Sequence, residues 1–418
     1  MIKQGKIRFN QRAQSSFSTK RSDMALTQQY GERSSVGPFF FWRQLHQMTK
    51  PPTTRFTTLW IGGSSSLART YCNQFDHTDL LLSGVEAIAP KWLIDKASYV
   101  FCDLTRLSSR EARELFEQYP TIRTIFVGVR PRLFAPSIKT TKVPALMLQG
   151  LKTLLQEAVQ TGRVQYVLHI SSVAAVDHLR AQVFLHENNP VPCLEQLKAP
   201  YDIFKRICEH IVEAVCQHHH IAYSHLRLSA IFSDDRACIQ CSALELQCRV
   251  GCYLPIPIDC NSSVNVARAI HAMVSRAMES QNGDNEHHHP SGSLQTLYYY
   301  TRPLLLQKPV PYGYYLEAFR QAYGIHNNHS SIWIPVWIVT GFVALVHWLA
   351  WWNDVHQRWF GVRFPYLDAA DYLLQVSSRE HSLDCSRFAN DFPHLEEETI
   401  LQCFIRRKVF LESYDKWK

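Results

Sequence analysis

Phe56-Thr57-Thr58-Leu59-Trp60-Ile61-Gly62-Gly63-Ser64-Ser65-Ser66-Leu67-Ala68 is the stretch from which the fold is read. A β-rich run passes straight into two glycines and three serines and then into a helical stretch. A strand, a tight turn and a helix in that order bring backbone N–H groups and the positive end of a helix to one point, where a pyrophosphate is well held. Gly62 and Gly63 supply the start of such a turn. Ser65 and Ala68 stand where further glycines are expected, and both are small. Gly62, Gly63, Ser65, Ser66 and Leu67 are therefore the candidate contacts to a dinucleotide.

The rest of the chain is consistent with that opening. Leu80-Leu81-Leu82, Tyr99-Val100-Phe101-Cys102, Thr124-Ile125-Phe126-Val127 and Val164–Ile170 read as four more buried strands, and helical patterns such as Ser109–Tyr119 and Ala145–Gln160 lie between them. Short apolar strands alternating with amphipathic helices predict a parallel sheet covered on both faces. The fold class is α/β: a Rossmann-like doubly wound parallel sheet, with a smaller C-terminal substrate region and a hydrophobic membrane-associated helix.

At the second strand, Leu82 is followed by Ser83 and Gly84, and the acidic residue expected there to bind a ribose hydroxyl is absent. Either Glu86 takes that role, or a 2′-phosphate is accommodated, or the ribose is loosely held, so both NAD and NADP remain open. Asp103 follows the third strand, where a carboxylate accepts from an adenine amino group or caps a helix.

Ser171-Ser172 closes the fifth strand, whose carboxyl end opens on the ligand crevice of such a sheet. Roughly thirty residues on, Tyr201 and Lys205 stand four apart on one helix face. A phenol with a pKa of about 10 is a poor base near neutrality, and a neighbouring ammonium lowers it. Tyr201 then exchanges a proton with a substrate oxygen that a serine hydroxyl holds in place. Tyr201, Lys205, Ser172 and, as the rival serine, Ser171 are the candidate catalytic residues.

Composition narrows the partners. Of the 44 Lys/Arg and 36 Asp/Glu residues, ten and two lie in residues 1–60, leaving 34 of each in the remainder. The +8 charge thus belongs to the N-terminal tail, and no nucleic-acid partner is expected. That tail is Arg- and Ser-rich and free of acidic residues before Asp23, the composition of an organelle transit peptide or of a tail without an address. The twelve cysteines read as mostly reduced, buried thiols of an intracellular protein. Cys238, Cys241, Cys248, Cys252 and Cys260 include a C-x-x-C, but Cys248 and Cys252 are four apart, so the second close pair of a zinc site is missing and no metal is expected. A redox C-x-x-C would open a helix after a strand in a thioredoxin-like unit, and the stretch does not read as one. His218–His220 and His287–His289 read as solvated ends and loops.

Residues 332–352 contain no Asp, Glu, Lys or Arg, and tryptophans crowd both ends. About twenty apolar residues suffice for a bilayer, and amphipathic rings favour the headgroup level. Attachment to membrane lipid is expected, by spanning or by lying on it.

Taken together, these residues resemble the extended short-chain dehydrogenase/reductases, and within them the 3β-hydroxysteroid dehydrogenase/Δ5-isomerase family. Gly62–Ala68 is similar to the family's cofactor loop, departing at Ser65 and Ala68. Ala199-Pro200-Tyr201-Asp202-Ile203-Phe204-Lys205 resembles its catalytic segment, and Ser172 aligns best with its serine. Leu226–Phe232 and Asn265–Ala272 are similar to later family segments, whereas Gly128-Val129-Arg130 departs from the residues usual beside a nicotinamide. The resemblance implies an NAD(P)-dependent enzyme oxidising a 3β-hydroxyl of a steroid or sterol at an intracellular membrane, that of the endoplasmic reticulum or of an organelle. A homo-oligomer is compatible with it. The alternative is a non-catalytic nucleotide-binding sensor or scaffold. The expected organisation is a basic tail (1–52), an NAD(P)-binding Rossmann domain (56–235), a substrate-binding region (236–330), the membrane-associated helix (332–352) and a C-terminal helical region (353–418).

Overall fold

Seven parallel strands form the main sheet: β1 (Thr58–Ile61), β2 (Leu80–Gly84), β3 (Ser98–Phe101), β4 (Thr124–Val127), β5 (Tyr166–Ser172), β6 (Ala222–Leu228) and β7 (Gln295–Tyr299). The computed structural model describes residues 56–75, 79–86, 97–130, 143–176, 182–187, 191–197, 200–235, 238–250, 252–253, 259–282, 295–306, 308, 310–325, 332–333, 336–360 and 381–415. All of them belong to one unit, Thr54–Lys418. The basic tail and His287–His289 lie outside the described residues.

The strand order is β7-β6-β5-β4-β1-β2-β3. The chain builds outward from β1 to β3, then crosses back to β4 on the other side. The carboxyl ends of β1 and β4 therefore bound the crevice where doubly wound sheets bind ligands.

Alternation along each strand fills both faces. Leu59, Ile61, Ile125, Val127 and Val167 face one core, which is completed by helices α2 (Ser109–Gln118), α3 (Val143–Gln160) and α4 (Pro200–His218). Trp60, Leu82, Phe126, Leu168 and Ile170 face the other, covered by α1 (Ser66–Gln74) and by the helix Ser263–Asn282. The N-termini have local causes. Ser65 caps α1 by accepting from Ala68 N at 3.2 Å, and Ser108 with Glu111 forms a capping box on α2.

A third core gathers the C-terminal elements. Helix α5 (Ile239–Val250) packs there with Tyr312–Tyr323 and Ile400–Asp415 around Phe232, Tyr315, Phe319 and Phe404. The expected boundary at residue 235 does not divide the sheet from this region. The helix Ser263–Asn282 and strand β7 come from beyond it and complete the main sheet.

The apolar run at 332–352 is not one helix. Ile332–Trp333 pairs in parallel with Cys252–Tyr253, and the helix that follows runs Val336–Phe360, past the run into polar residues. Among the described residues no helix is long and apolar enough to cross a membrane. Val346 and Asn353, seven apart and so on one face, are buried, while Trp348, Trp351, Trp352 and Trp359 are exposed.

Candidate active site

The glycine turn sits at the crevice. Gly62 adopts φ +83°, and a Cβ there would stand 2.7 Å from the Gly128 carbonyl oxygen. A Cβ on Gly63 would stand 2.7 Å from Leu82 Cβ. Only glycine meets both demands, so the turn after β1 lies bare against the loop after β4. Ser66 and Leu67 open α1, and their amides have no carbonyl one turn earlier in the helix. This bare backbone at a helix N-terminus fits a pyrophosphate.

Two carboxylates flank it. Glu86, just past β2, accepts from the Tyr99 phenol at 3.2 Å, so β3 orients it at the strand end. Asp103, just past β3, is half-buried; its Oδ1 accepts from Thr105 N at 2.9 Å and Thr105 Oγ1 at 2.7 Å. Asp103 therefore holds its own turn, while Ser108 caps α2.

Ser172 and Tyr201 meet: their hydroxyls are hydrogen-bonded, and Ser172 Oγ also accepts from Ala174 N at 3.2 Å. Burial pushes the Tyr201 phenol up to about 12, opposed by the Ser172 bond and by the Arg130 charge. Arg130 is exposed at the end of the β4 loop. The sequence suggested Lys205 as the lowering charge, whereas the largest one here is Arg130.

Lys205 is buried. Its Nζ donates to the carbonyls of Val129 at 2.9 Å and Ile170 at 3.1 Å, tying the ends of β4 and β5 together. Burial brings its pKa down to about 8.

Ser171 faces elsewhere. Its hydroxyl donates to Glu209 Oε1 at 2.6 Å. Arg227 reaches both Glu209 oxygens, at 2.9 and 2.8 Å, and Arg206 reaches Oε2 at 2.7 Å. Burial works to raise the Glu209 carboxyl, and the Arg227 guanidinium outweighs it, holding the group well below the usual carboxylate range. Behind this cluster His169 Nδ1 lies 3.1 Å from His225 Nδ1, and burial with the His225 charge holds His169 well below its ordinary value. Sequence reasoning missed this cluster and Arg130. A signal was present: Glu209 lies four residues beyond Lys205, on the face that carries Tyr201.

No family model matches the chain, and no curated protein sequence matches it. Solved structures do share its fold. UDP-glucose 4-epimerase from Thermotoga maritima, with UDP-glucose, is 12% identical over 86% of this chain and 100% of that chain, with a TM-score of 0.58. The Bordetella bronchiseptica enzyme WbmH, in complex with NAD+, is 11% identical over 86% of this chain and 99% of that one, at 0.57. WbmG from the same organism, with NAD and UDP, is 12% identical over 86% and 96%, at 0.56. At these identities the likeness is one of fold: a Rossmann-like α/β sheet with helices on its faces.

Proposed function

We propose that the chain is an NAD-dependent oxidoreductase of the extended short-chain dehydrogenase/reductase type, acting on the 3β-hydroxyl of a sterol or steroid. The observation that carries this reading is the Ser172–Tyr201 hydroxyl pair at the carboxyl end of β5, beside a bare glycine turn that suits a pyrophosphate.

In this reading Gly62, Gly63, Ser65, Ser66 and Leu67 hold the pyrophosphate side. Glu86 accepts from the ribose, which favours NAD over NADP because a 2′-phosphate would meet a carboxylate. Asp103 lies on the adenine side. When bound, the oxidised nicotinamide supplies the hydride acceptor and a positive charge beside the phenol. Ser172 fixes the substrate oxygen, and Tyr201 takes its proton. Arg130 stabilises the phenolate, and Lys205 holds the ribose while keeping β4 and β5 in register.

The substrate class draws support from the family resemblance and from the tryptophan face of the helix Val336–Phe360. With Trp348, Trp351 and Trp352 half exposed, at 52%, 55% and 47%, that helix suits the headgroup layer of an intracellular membrane, where it lies rather than spans. That membrane is the endoplasmic reticulum, or an organelle's if the tail directs it there. The second reading, a non-catalytic nucleotide sensor, is favoured by the engagement of Lys205 with two main-chain carbonyls.

The test is turnover of the full chain with NAD and lipid vesicles, against a panel of 3β-hydroxysterols with UDP-glucose as a comparator. Sterol-dependent NADH formation is expected, and Tyr201→Phe should abolish it while nucleotide affinity stays within a factor of a few. Nucleotide binding without turnover of any alcohol would establish the sensor reading. Turnover of UDP-glucose alone would overturn the substrate class.

A further inference from the structure

The sheet has a second opening at the amino ends of its strands, away from the nucleotide crevice. Thr58 and Leu80, the first residues of β1 and β2, border a cavity of about 450 Å³ between the end of α1 and the helix Ser263–Asn282. A space of that size takes a small organic ligand. Its walls are largely aromatic. Phe75, just past α1, stacks on His271, with ring centroids 4.1 Å apart and planes 15° from parallel. The Tyr71 ring stands 5.2 Å from that of Phe75.

The charge in this cavity has one sign. Asp79 lines it and is fixed in place: its main-chain carbonyl accepts from Thr57 N at 3.0 Å and Thr58 N at 3.3 Å, and its Oδ2 accepts from the Thr57 hydroxyl. Its Oδ1 has no partner among the described residues, and the side chain is half-buried. Among the described residues no Lys or Arg lines the cavity. His271 is neutral at pH 7, because burial holds its imidazole below the ordinary value. Tyr71 stays protonated, its phenol pushed up by burial and by the Asp79 charge.

A second, independent observation comes from α1. Its carboxyl end points here, where a helix carries a partial negative charge of about half a unit, and its last turn contains no basic residue. A carboxylate and a helix end thus converge without a cation, beside rings whose faces attract cations.

We propose that this cavity binds a small organic monoamine in its protonated form, the ammonium on Asp79 and an apolar or aromatic body against Phe75 and Tyr71. An alcohol would bond Oδ1 but leave the negative charge uncompensated. An anion would be repelled. A bare divalent cation would find one carboxylate where it needs several oxygens. Thr58 and Gly62 lie at opposite ends of β1, roughly 13 Å apart at an extended rise. The amine and a nucleotide therefore bind at separate places, and the inference does not depend on the chemistry proposed for the crevice.

The experiment titrates the full chain with phenethylammonium chloride at pH 7 by isothermal calorimetry, with and without NAD, and with phenethyl alcohol as the uncharged control. One-to-one binding with a Kd of about 1 mM or tighter is expected, unchanged by NAD, with the alcohol at least about tenfold weaker. Asp79→Asn keeps the side-chain size and an acceptor for Thr57 while removing the charge. It should weaken the amine at least about tenfold and leave the alcohol within about twofold. The comparison of amine with alcohol uses the wild type and needs no variant to fold. No saturation below about 10 mM, equal binding of amine and alcohol, or displacement of the amine by NAD would overturn the proposal. So would an Asp79→Asn protein that binds the amine as tightly as the wild type.

Discussion

Replacing Ser171 and Ser172 by alanine, one at a time, should damage two different properties. Ser171 Oγ donates to Glu209 Oε1 at 2.6 Å inside a cluster closed to solvent. A hydrogen bond to a charged group contributes about 1.5–3 kcal/mol, so Ser171→Ala should lower the unfolding free energy by about 2 kcal/mol. Its hydroxyl is turned to Glu209, so turnover of the folded protein should stay within a few-fold of wild type. Ser172 is half-buried and bonds neutral groups, Tyr201 and the Ala174 amide. Its loss should cost about 0.5–1.5 kcal/mol of stability, whereas a donor aimed at the reacting oxygen is worth about 10²–10³ in kcat. Urea unfolding followed by fluorescence reads the first property, and initial rates at saturating nucleotide read the second. A Ser171→Ala protein of full stability and little activity, beside an active Ser172→Ala protein, would refute the assignment.

Glu209→Ala strands Arg227 and Arg206 in the interior and should cost about 3–5 kcal/mol, read as a shift in the urea midpoint. Because the folded Glu209 pKa is depressed, its stabilisation is present above the unfolded value of about 4.3 and is lost as pH falls below it toward the folded value. An acid titration of stability should therefore fall more steeply below about pH 4 in the wild type than in the variant. Glu86→Gln should reduce the preference for NAD over NADP about tenfold, or about 1.4 kcal/mol, by calorimetric titration of both nucleotides; a wild-type protein without that preference would remove the role given to Glu86. Changing Trp348, Trp351 and Trp352 to serine should lower partition onto anionic vesicles at least about tenfold in a flotation assay while leaving circular dichroism unchanged, because the three rings are exposed.

The order of strand, glycine turn and helix from Phe56 to Ala68, and the apolar strands after it, were legible because both are local. A strand buried on both faces is apolar at most of its positions, and φ +83° at residue 62 calls for glycine. The Tyr201–Lys205 face was legible for the same reason, since helical periodicity is carried by neighbours in sequence. Strand β7 was not, because Gln295–Tyr299 becomes a strand only by adding to the edge of β6. Residues 332–352 were rightly read as apolar, yet pairing of Ile332–Trp333 with Cys252–Tyr253 decides where the helix begins. The choice between Ser171 and Ser172 belongs wholly to the tertiary structure. Adjacent strand residues diverge, and their partners, Glu209 and Tyr201, arrive from α4 about thirty to forty positions away. The sequence by itself thus determined the elements and the chemistry they carry. Which groups meet was decided by packing, because a hydrogen bond between distant residues depends on where whole elements come to rest.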